Sequence, residues 1–210
     1  MGIIDQMSAS IYRRDEQVNI DLAEKIAATN DQEAVMELID LFDRKKHQSL
    51  QNDAIKILYE IGLRNPGLIA AYVSIFVALL SHKNNRLQWG GMTALASIVD
   101  FQPEAIHPHL AAILDASDKG TVITRDYTVR ILAGLCKVAA FREDVMILLL
   151  DMVAKSPENQ FPMYAEICFS CDLNPAEGNA LLDILQSRIL EMEKETKQRR
   201  ILRLIHKLNK

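Results

Sequence analysis

A 37-residue repeat dominates the sequence and limits the folds that the chain can adopt. The stretch 124–136 shares its apolar pattern with 87–99, which in turn shares it with 50–62. Within each stretch the pattern recurs at i, i+3, i+4 and i+7, and this spacing lies on one face of a helix. A fixed period of this length is typical of stacked helical hairpins, each of which buries its apolar face against the next.

The aligned positions predict two helices in each repeat. The second helices are predicted to face inward through four columns: Ala54/Gly91/Thr128, Ile57/Ala94/Ile131, Leu58/Leu95/Leu132 and Ile61/Ile98/Leu135. The first helices keep the period in two apolar columns, Met36/Val73/Leu110/Ile147 and Ile39/Phe76/Ile113/Leu150. These columns predict first helices at about 31–44, 67–81, 104–117 and 143–155.

Further helices are predicted at both ends of the chain, at about 3–12, 15–28, 161–172, 176–192 and 196–209. The helix at 15–28 has a narrow apolar seam, as expected of a cap on the open end of a stack. The last helix repeats the inward spacing through Ile201, Leu204, Ile205 and Leu208. We therefore expect one all-α domain over residues 1–210. It divides into a cap, 1–30, and five hairpins, 31–66, 67–103, 104–140, 141–174 and 175–210.

The second helix of the third repeat reads Arg-Asp-Tyr-Thr-Val-Arg-Ile-Leu-Ala-Gly-Leu over 125–135. It resembles the repeats of HEAT-like (HEAT/armadillo-type) proteins. The likeness is good over about 31–138 and looser over 143–209, and the hairpin turns lack the regular Asp of the family. The resemblance implies a right-handed α-solenoid, in which the second helices line the concave side of a superhelix. Partners of such proteins usually bind there.

The face of the second helices opposite the inward columns supplies the candidate partner-binding residues, and it changes from neutral and aromatic to basic along the chain. The candidates are Tyr59, Trp89, Arg130, Lys137, Arg199, Arg203 and His206. We expect Tyr59 and Trp89 to give apolar contacts and the basic residues to engage acidic groups. Trp89, the only Trp, has a second interpretation, in which it packs between repeats in the space beside Gly90 and Gly91.

Charge is segregated toward the C-terminus. Residues 194–210 carry seven Lys or Arg against one acid, Glu195, so the other 193 residues hold 17 basic and 27 acidic groups. This segregation favours an anionic partner near the C-terminal end. The alternative is a solvated capping helix whose late cations complement the helix dipole.

The sequence contains no phosphate-binding loop, nucleophile elbow or His-Glu-x-x-His motif, and it predicts no cofactor and no metal. Cys168-x-x-Cys171 has a spacing used in redox and metal sites, but no second Cys/His pair accompanies it at zinc spacing. In a helix, two such cysteines fit the core as small apolar residues. The redox and metal readings remain as lesser alternatives.

One enzyme class stays open as the alternative. HEAT-like alkylpurine DNA glycosylases are similar in architecture, and here Trp89, Arg125, Asp126 and Arg130 would surround an extruded base. Nucleic-acid binding needs cations along the whole track. Few cations precede Arg125, and the isoelectric point is about 5.8. Nucleic acid is therefore the less favoured partner.

The longest apolar run, 68–80, is too short to span a bilayer of roughly 30 Å. Three Cys and no secretion signal at the N-terminus predict reduced thiols in the cytoplasm. The leading hypothesis is a cytoplasmic, non-catalytic scaffold that binds a protein or peptide partner through an acidic segment. We expect a monomer or a weak homo-oligomer.

Overall fold

The computed structural model describes residues 2–11, 15–43 and 47–209, and in these ranges it contains helices and no strands. The α-helices are α1 (Ile3–Gln6), α2 (Gln17–Thr29), α3 (Gln32–Ile39), α4 (Gln48–Arg64), α5 (Val73–Leu79), α6 (Asn85–Ile98), α7 (Pro103–Ile106), α8 (Leu110–Lys119), α9 (Val122–Leu135), α10 (Ala139–Lys155), α11 (Phe161–Phe169), α12 (Pro175–Ile189) and α13 (Glu195–Leu208). Short 3-10 turns lie at Asp40–Asp43, Pro66–Leu68, Ala70–Tyr72 and His107–His109. No helix in the described ranges is both long and apolar enough to cross a membrane.

The predicted succession of paired helices is confirmed, but the first helices are less regular than expected. Each of the first three combines α-helix with 3-10 turns. In the third, Pro108 lies in the 3-10 turn, where its missing amide hydrogen would break an α-helical ladder. The predicted N-terminal helix ends early, at Gln6. Residues 12 and 44, the predicted ends of two helices, lie outside the described residues.

The inward face of the second helices is confirmed at every position predicted in α4, α6 and α9. All twelve positions in the four columns of α4, α6 and α9 are buried. Thr128, the one polar member, donates its hydroxyl hydrogen to the Thr124 carbonyl at 3.0 Å, so its burial leaves no unpaired donor. In α13 the same spacing buries Ile201 and Leu204 and leaves Ile205 and Leu208 half-buried.

The columns of the first helices are only partly inward. Val73, Phe76 and Ile113 are buried, but Met36 is 54% exposed and Ile147 is 64% exposed. In α3 the buried face runs instead through Val35 and Leu38 and continues to Leu41 in the 3-10 turn that follows, and in α10 it runs through Val145, Met146 and Leu149. A shift of one residue turns a helical side chain by about 100° around the axis. At Met36 and Ile147 the 37-residue period therefore holds for the residue type but not for burial.

Contacts divide the chain into two compact units, Met1–Thr128 and Val129–Lys210, with the division inside α9. In the first unit α4 is the central helix, because it packs against α2 as well as α6, and α6 also packs against α5. In the second unit α12 packs against α10, α11 and α13, and α11 packs against both α10 and α13. The single domain over 1–210 stays a prediction.

Two glycines let neighbouring helices approach α6 closely in the first unit. A Cβ atom at Gly91 would lie 2.9 Å from the Phe76 carbonyl oxygen and 3.1 Å from the Leu79 Cβ, both on α5. A Cβ at Gly90 would lie 2.5 Å from the Ile55 Cγ1 of α4. The space beside these glycines is thus filled by α4 and α5. Trp89 contacts the preceding repeat elsewhere, through the Tyr59 ring of α4.

We predict that Gly91→Ala lowers the free energy of unfolding by about 1–3 kcal/mol, since the added methyl group meets backbone that cannot move alone. Alanine's higher helix propensity, worth up to about 1 kcal/mol, offsets only part of this loss. Denaturant unfolding followed by far-UV circular dichroism measures the difference.

Gly178→Ala is the matched control on α12, where the atom nearest to the added Cβ would lie at 3.7 Å, an ordinary contact. It should stabilise the protein or leave it unchanged. Equal stability of Gly91→Ala and the parent would contradict the close approach.

Candidate partner-binding surface

Helix α13 presents a basic face on the side opposite its buried residues. Ile201 and Leu204 point into the second unit, whereas Arg199, Arg203 and His206 are exposed. Positions i, i+4 and i+7 share one face of a helix, so these three side chains form a row about two turns long. We call Arg199, Arg203 and His206 the basic row.

The arginines of α13 have different surroundings. Arg200 binds Glu166 of α11 through two hydrogen bonds, from Nε to Oε1 at 2.9 Å and from Nη2 to Oε2 at 2.6 Å. These two hydrogen bonds hold the pKa of Glu166 below its ordinary value, and the positive charges of Arg203 and Lys207 lower it further. Arg199 pairs with Glu195 on its own helix at 2.5 Å, where both side chains are mostly exposed. Arg200 thus joins two helices, while Arg199 remains open to solvent.

Arg203 and His206 form no ion pair with any residue that the structure describes. The next residue, Lys207, places its ammonium 5.6 Å from the centre of the Phe169 ring. It also borders a cleft of about 650 Å³, whose wall includes Asp172 and Asn179. Arg203 is therefore an exposed cation of α13 that no described carboxylate holds in an ion pair.

Arg130 and Lys137, the other basic candidates, are both exposed. Arg130 lies on α9, and Lys137 lies in the turn that follows it. Lys137 is close enough to Cys171 for its charge to lower the pKa of that thiol. Like the basic row, both residues belong to the second unit.

The aromatic candidates lie in the first unit and are less open than expected. The rings of Tyr59 and Trp89 contact each other, with centroids 5.8 Å apart and planes tilted by 50°. Tyr59 is only 7% exposed, and burial raises the pKa of its hydroxyl. Trp89 is half-buried. The prediction that Tyr59 lies on an open surface is wrong, and Trp89 retains part of its ring for other contacts.

A buried charged group explains why this face of α4 is closed. Lys56 is 7% exposed and pairs with Glu60 at 2.7 Å, with Glu16 also 3.8 Å away. Its ammonium lies 4.9 Å above the Tyr59 ring. Glu16, which directly precedes α2, also forms an ion pair with Arg86 of α6. The segment at the start of α2 thus covers the side of α4 that the sequence pattern leaves exposed.

Arg125, a member of the glycosylase-like set, has a structural role. Its Nε donates to the Ser117 carbonyl at 3.3 Å and its Nη2 to the Asp118 carbonyl at 3.5 Å. Both carbonyls belong to the last turn of α8, whose final carbonyls have no partner within the helix. Asp126 beside it is half-buried, and Arg130 is exposed.

Sequence reasoning missed Arg142, which joins three elements of the second unit. Its guanidinium on α10 donates to both carboxylate oxygens of Glu177, at 3.0 and 2.7 Å. It also donates to the carbonyls of Cys136 at 3.1 Å, Cys171 at 2.9 Å and Asp172 at 3.0 Å. These carbonyls follow α9 and α11, so one side chain ties the ends of two helices to the start of α12. An apolar cleft of about 540 Å³ between α10 and α12 lies beside it.

Glu177 has a second role that the sequence does signal. Its carboxylate accepts from the Asn174 backbone at 2.9 Å, and the Asn174 side chain accepts from the Glu177 backbone at 3.0 Å. This reciprocal pair is a capping box at the start of α12, typical of Asn followed three residues later by Glu. The hydrogen bonds from Arg142 hold the pKa of Glu177 below its ordinary value.

All three cysteines are free thiols and buried in the second unit. Cys136 donates a hydrogen bond to the Cys171 sulfur, which raises the pKa of Cys136 and lowers that of Cys171. Burial raises the pKa of Cys168 to about 12. Within the described ranges no group of three or more His, Cys, Asp or Glu side chains is placed to hold a metal ion.

No protein-family model matches the sequence, and no curated protein is detectably similar to it. Solved structures do match. An engineered protein superposes with a TM-score of 0.65 at 16% identity, covering 100% of this chain and 97% of that one. A designed armadillo repeat protein in complex with the peptide (KR)4 gives 0.62 at 15% identity, covering 97% and 98%. A second engineered protein gives 0.60 at 16% identity, covering 99% of each chain.

The chain has an all-α helical repeat fold like that of the designed armadillo repeat protein. This confirms the fold expected from the 37-residue period. At these identities the likeness concerns the fold alone.

We predict that Glu177→Gln destabilises the protein by about 1–3 kcal/mol at neutral pH, because a charged hydrogen-bond pair is lost while Gln keeps the cap. The carboxylate has a lowered folded-state pKa. Its contribution is therefore complete above about pH 4.3, the ordinary Glu value, and is lost as the pH falls through the folded pKa. The difference in the free energy of unfolding between the parent protein and Glu177→Gln should become smaller as the pH is lowered. Urea unfolding midpoints of both proteins at several pH values measure this difference.

Glu166→Gln is the matched control, since its pair with Arg200 has both side chains 42% exposed. We expect it to cost less, at most about 1 kcal/mol. A difference in the free energy of unfolding between the parent protein and Glu177→Gln that stays constant from neutral to acid pH would contradict the role of the Arg142–Glu177 pair.

Proposed function

We propose that the protein is a non-catalytic binding module that holds an acidic segment of a protein or peptide partner on the basic row of α13. This proposal rests on Arg203 and His206, which are exposed and form no ion pair with the described residues. Other arginines of the second unit, Arg142 and Arg200, already bind carboxylates. The basic row therefore has donors to offer to a partner.

The chemistry of the row favours carboxylates. A guanidinium binds a carboxylate through two parallel hydrogen bonds, as Arg200 does with Glu166. Arg199 and Arg203 lie one turn apart on an exposed face, so an acidic segment can meet both. Exposed charges of this kind increase the association rate and make binding sensitive to salt.

Arg130 and Lys137 are proposed as a second set of contacts for the same partner class, since both are exposed cations of the second unit. Trp89 is proposed as an apolar contact through the part of its ring that Tyr59 does not cover. Tyr59 itself has little exposed surface, so it acts in this proposal by supporting the Trp89 ring. The cytoplasmic location and the monomeric or weakly associating state stay predictions.

The comparison with the designed armadillo repeat protein supports peptide binding as a use of this fold, because that protein is in complex with a peptide. Its peptide, (KR)4, is basic. The segregated positive charge of residues 194–210 favours a partner of the opposite sign here.

We predict that a labelled peptide rich in Glu and Asp binds the protein more tightly than a Lys/Arg peptide of the same length. Arg199→Ala/Arg203→Ala should weaken binding of the acidic peptide roughly 5- to 30-fold, since two exposed ion pairs contribute about 0.5–1 kcal/mol each. The salt dependence of the remaining binding should be shallower. Fluorescence anisotropy at two or more salt concentrations measures both effects.

Lys119→Ala/Lys155→Ala is the matched control. It removes the same charge from two lysines outside α13 that are 71% and 77% exposed. This control should change affinity by less than roughly twofold, because it leaves the basic row intact. Equal losses in the two double variants would show that net charge alone attracts the peptide. That result, or a parent protein that prefers the Lys/Arg peptide, would overturn the proposal.

A further inference from the structure

The structure brings together two cysteines that are far apart in the sequence. Cys136 directly follows α9, and Cys171 lies just beyond the end of α11. One guanidinium, that of Arg142, donates to the carbonyls of both residues. The Cys171 Sγ lies 4.0 Å from the Ala133 carbonyl oxygen of α9 and 3.4 Å from the Ile167 carbonyl oxygen of α11. The two cysteines are thus neighbours in the folded protein.

One side chain fixes the backbone at both cysteines. Arg142 donates to the Cys136 carbonyl at 3.1 Å and to the Cys171 carbonyl at 2.9 Å. Arg142 is itself held by Glu177 through a two-bond fork. The two cysteines therefore lie in a part of the second unit that these hydrogen bonds hold in place.

We propose that Cys136 and Cys171 are a peroxide-sensitive dithiol that closes to a reversible disulfide, while Cys168 stays reduced. The sequence pattern singles out Cys168 and Cys171 as the pair, but the structure joins Cys171 to Cys136 instead. The Cys168 side chain is completely buried in α11, and the Cys171 sulfur is engaged with α9.

The electrostatic surroundings select Cys171 as the thiol that reacts first. The hydrogen bond from Cys136 and the positive charges of Arg142 and Lys137 lower the pKa of Cys171, against the effects of burial and of the Glu177 carboxylate. The thiolate is the nucleophilic form of cysteine. Cys171 is also the most exposed of the three cysteines, at 8%, against 1% for Cys136 and 0% for Cys168. Burial, by contrast, keeps Cys168 protonated.

The reaction balances with one hydroperoxide as the oxidant. The Cys171 thiolate attacks the terminal peroxide oxygen and the O–O bond breaks, which gives a sulfenic acid and, after proton uptake, an alcohol or water. The Cys136 sulfur then attacks the sulfenic sulfur, so that the S–S bond forms, the S–O bond breaks and water leaves with the Cys136 proton. The two thiols are oxidised by two electrons, and the peroxide is reduced by two.

The disulfide would close a loop between the ends of α9 and α11. A cross-link of this kind restricts the unfolded chain, so the oxidised protein should melt at a higher temperature than the reduced one. Reduction by a dithiol should reverse the change.

The test exposes the folded protein to hydrogen peroxide, alkylates the remaining thiols in denaturant and maps the cysteines by mass spectrometry. Digestion with chymotrypsin, which cleaves after Phe169, separates Cys168 from Cys171. We expect loss of two of the three thiols, a peptide pair that links Cys136 to Cys171 and full recovery of thiols with dithiothreitol. Cys168→Ala should leave this bond unchanged, and Cys136→Ser and Cys171→Ser should abolish it.

The peptide map of the parent protein decides the pairing by itself, so the test does not depend on the folding of the variants. A bond between Cys168 and Cys171 would overturn the proposal. So would three alkylated thiols after peroxide treatment, or a bond that joins two chains or forms only in denaturant.

Discussion

Burial of one face of the second helices is the constraint on which the rest of the structure depends. Ile57, Leu58 and Ile61 are completely buried in α4, and the equivalent positions are buried in α6 and α9. Removing each such side chain from water contributes about 1.5–3 kcal/mol, which no single surface interaction in the chain approaches. Because the inward face is fixed, the outward face is fixed as well. In α13, burial of Ile201 and Leu204 orients the basic row toward solvent.

The sequence predicts this inward face well because the interaction is local to a helix and repeats. Prediction from the sequence fails where the burial of a side chain depends on contacts between segments that are distant in the chain. Met36 and Ile147 are apolar and in phase with the period, yet the helices that carry them are turned so that other residues are buried. Tyr59 is covered because Glu16, more than forty residues earlier, lies against the Lys56 beside it. No local pattern reports such a contact.

Arginine has two roles in the second unit. Arg142 and Arg200 each bind a glutamate on another helix, with Arg142 also capping the carbonyls at the ends of α9 and α11. Arg199 and Arg203 instead point into solvent. Composition alone cannot separate these roles, because all four are arginines on helices. The capping box of Asn174 and Glu177 was readable from sequence, but Arg142 as the partner of Glu177 was not. The candidate site was therefore predictable from the sequence as a cluster of positive charge on α13. Only the structure shows which arginines bind a glutamate on another helix and which are exposed to solvent.

Hydrogen–deuterium exchange of backbone amides tests the role of the inward face most directly. If the buried faces of α4 and α6 form the core of the first unit, amides in 54–62 and 91–99 should exchange most slowly there, since their opening requires unfolding of the whole unit. Amides of α1, a short helix with no buried residues, should exchange far faster. Exchange of 54–62 and 91–99 as fast as that of α1 would contradict the account.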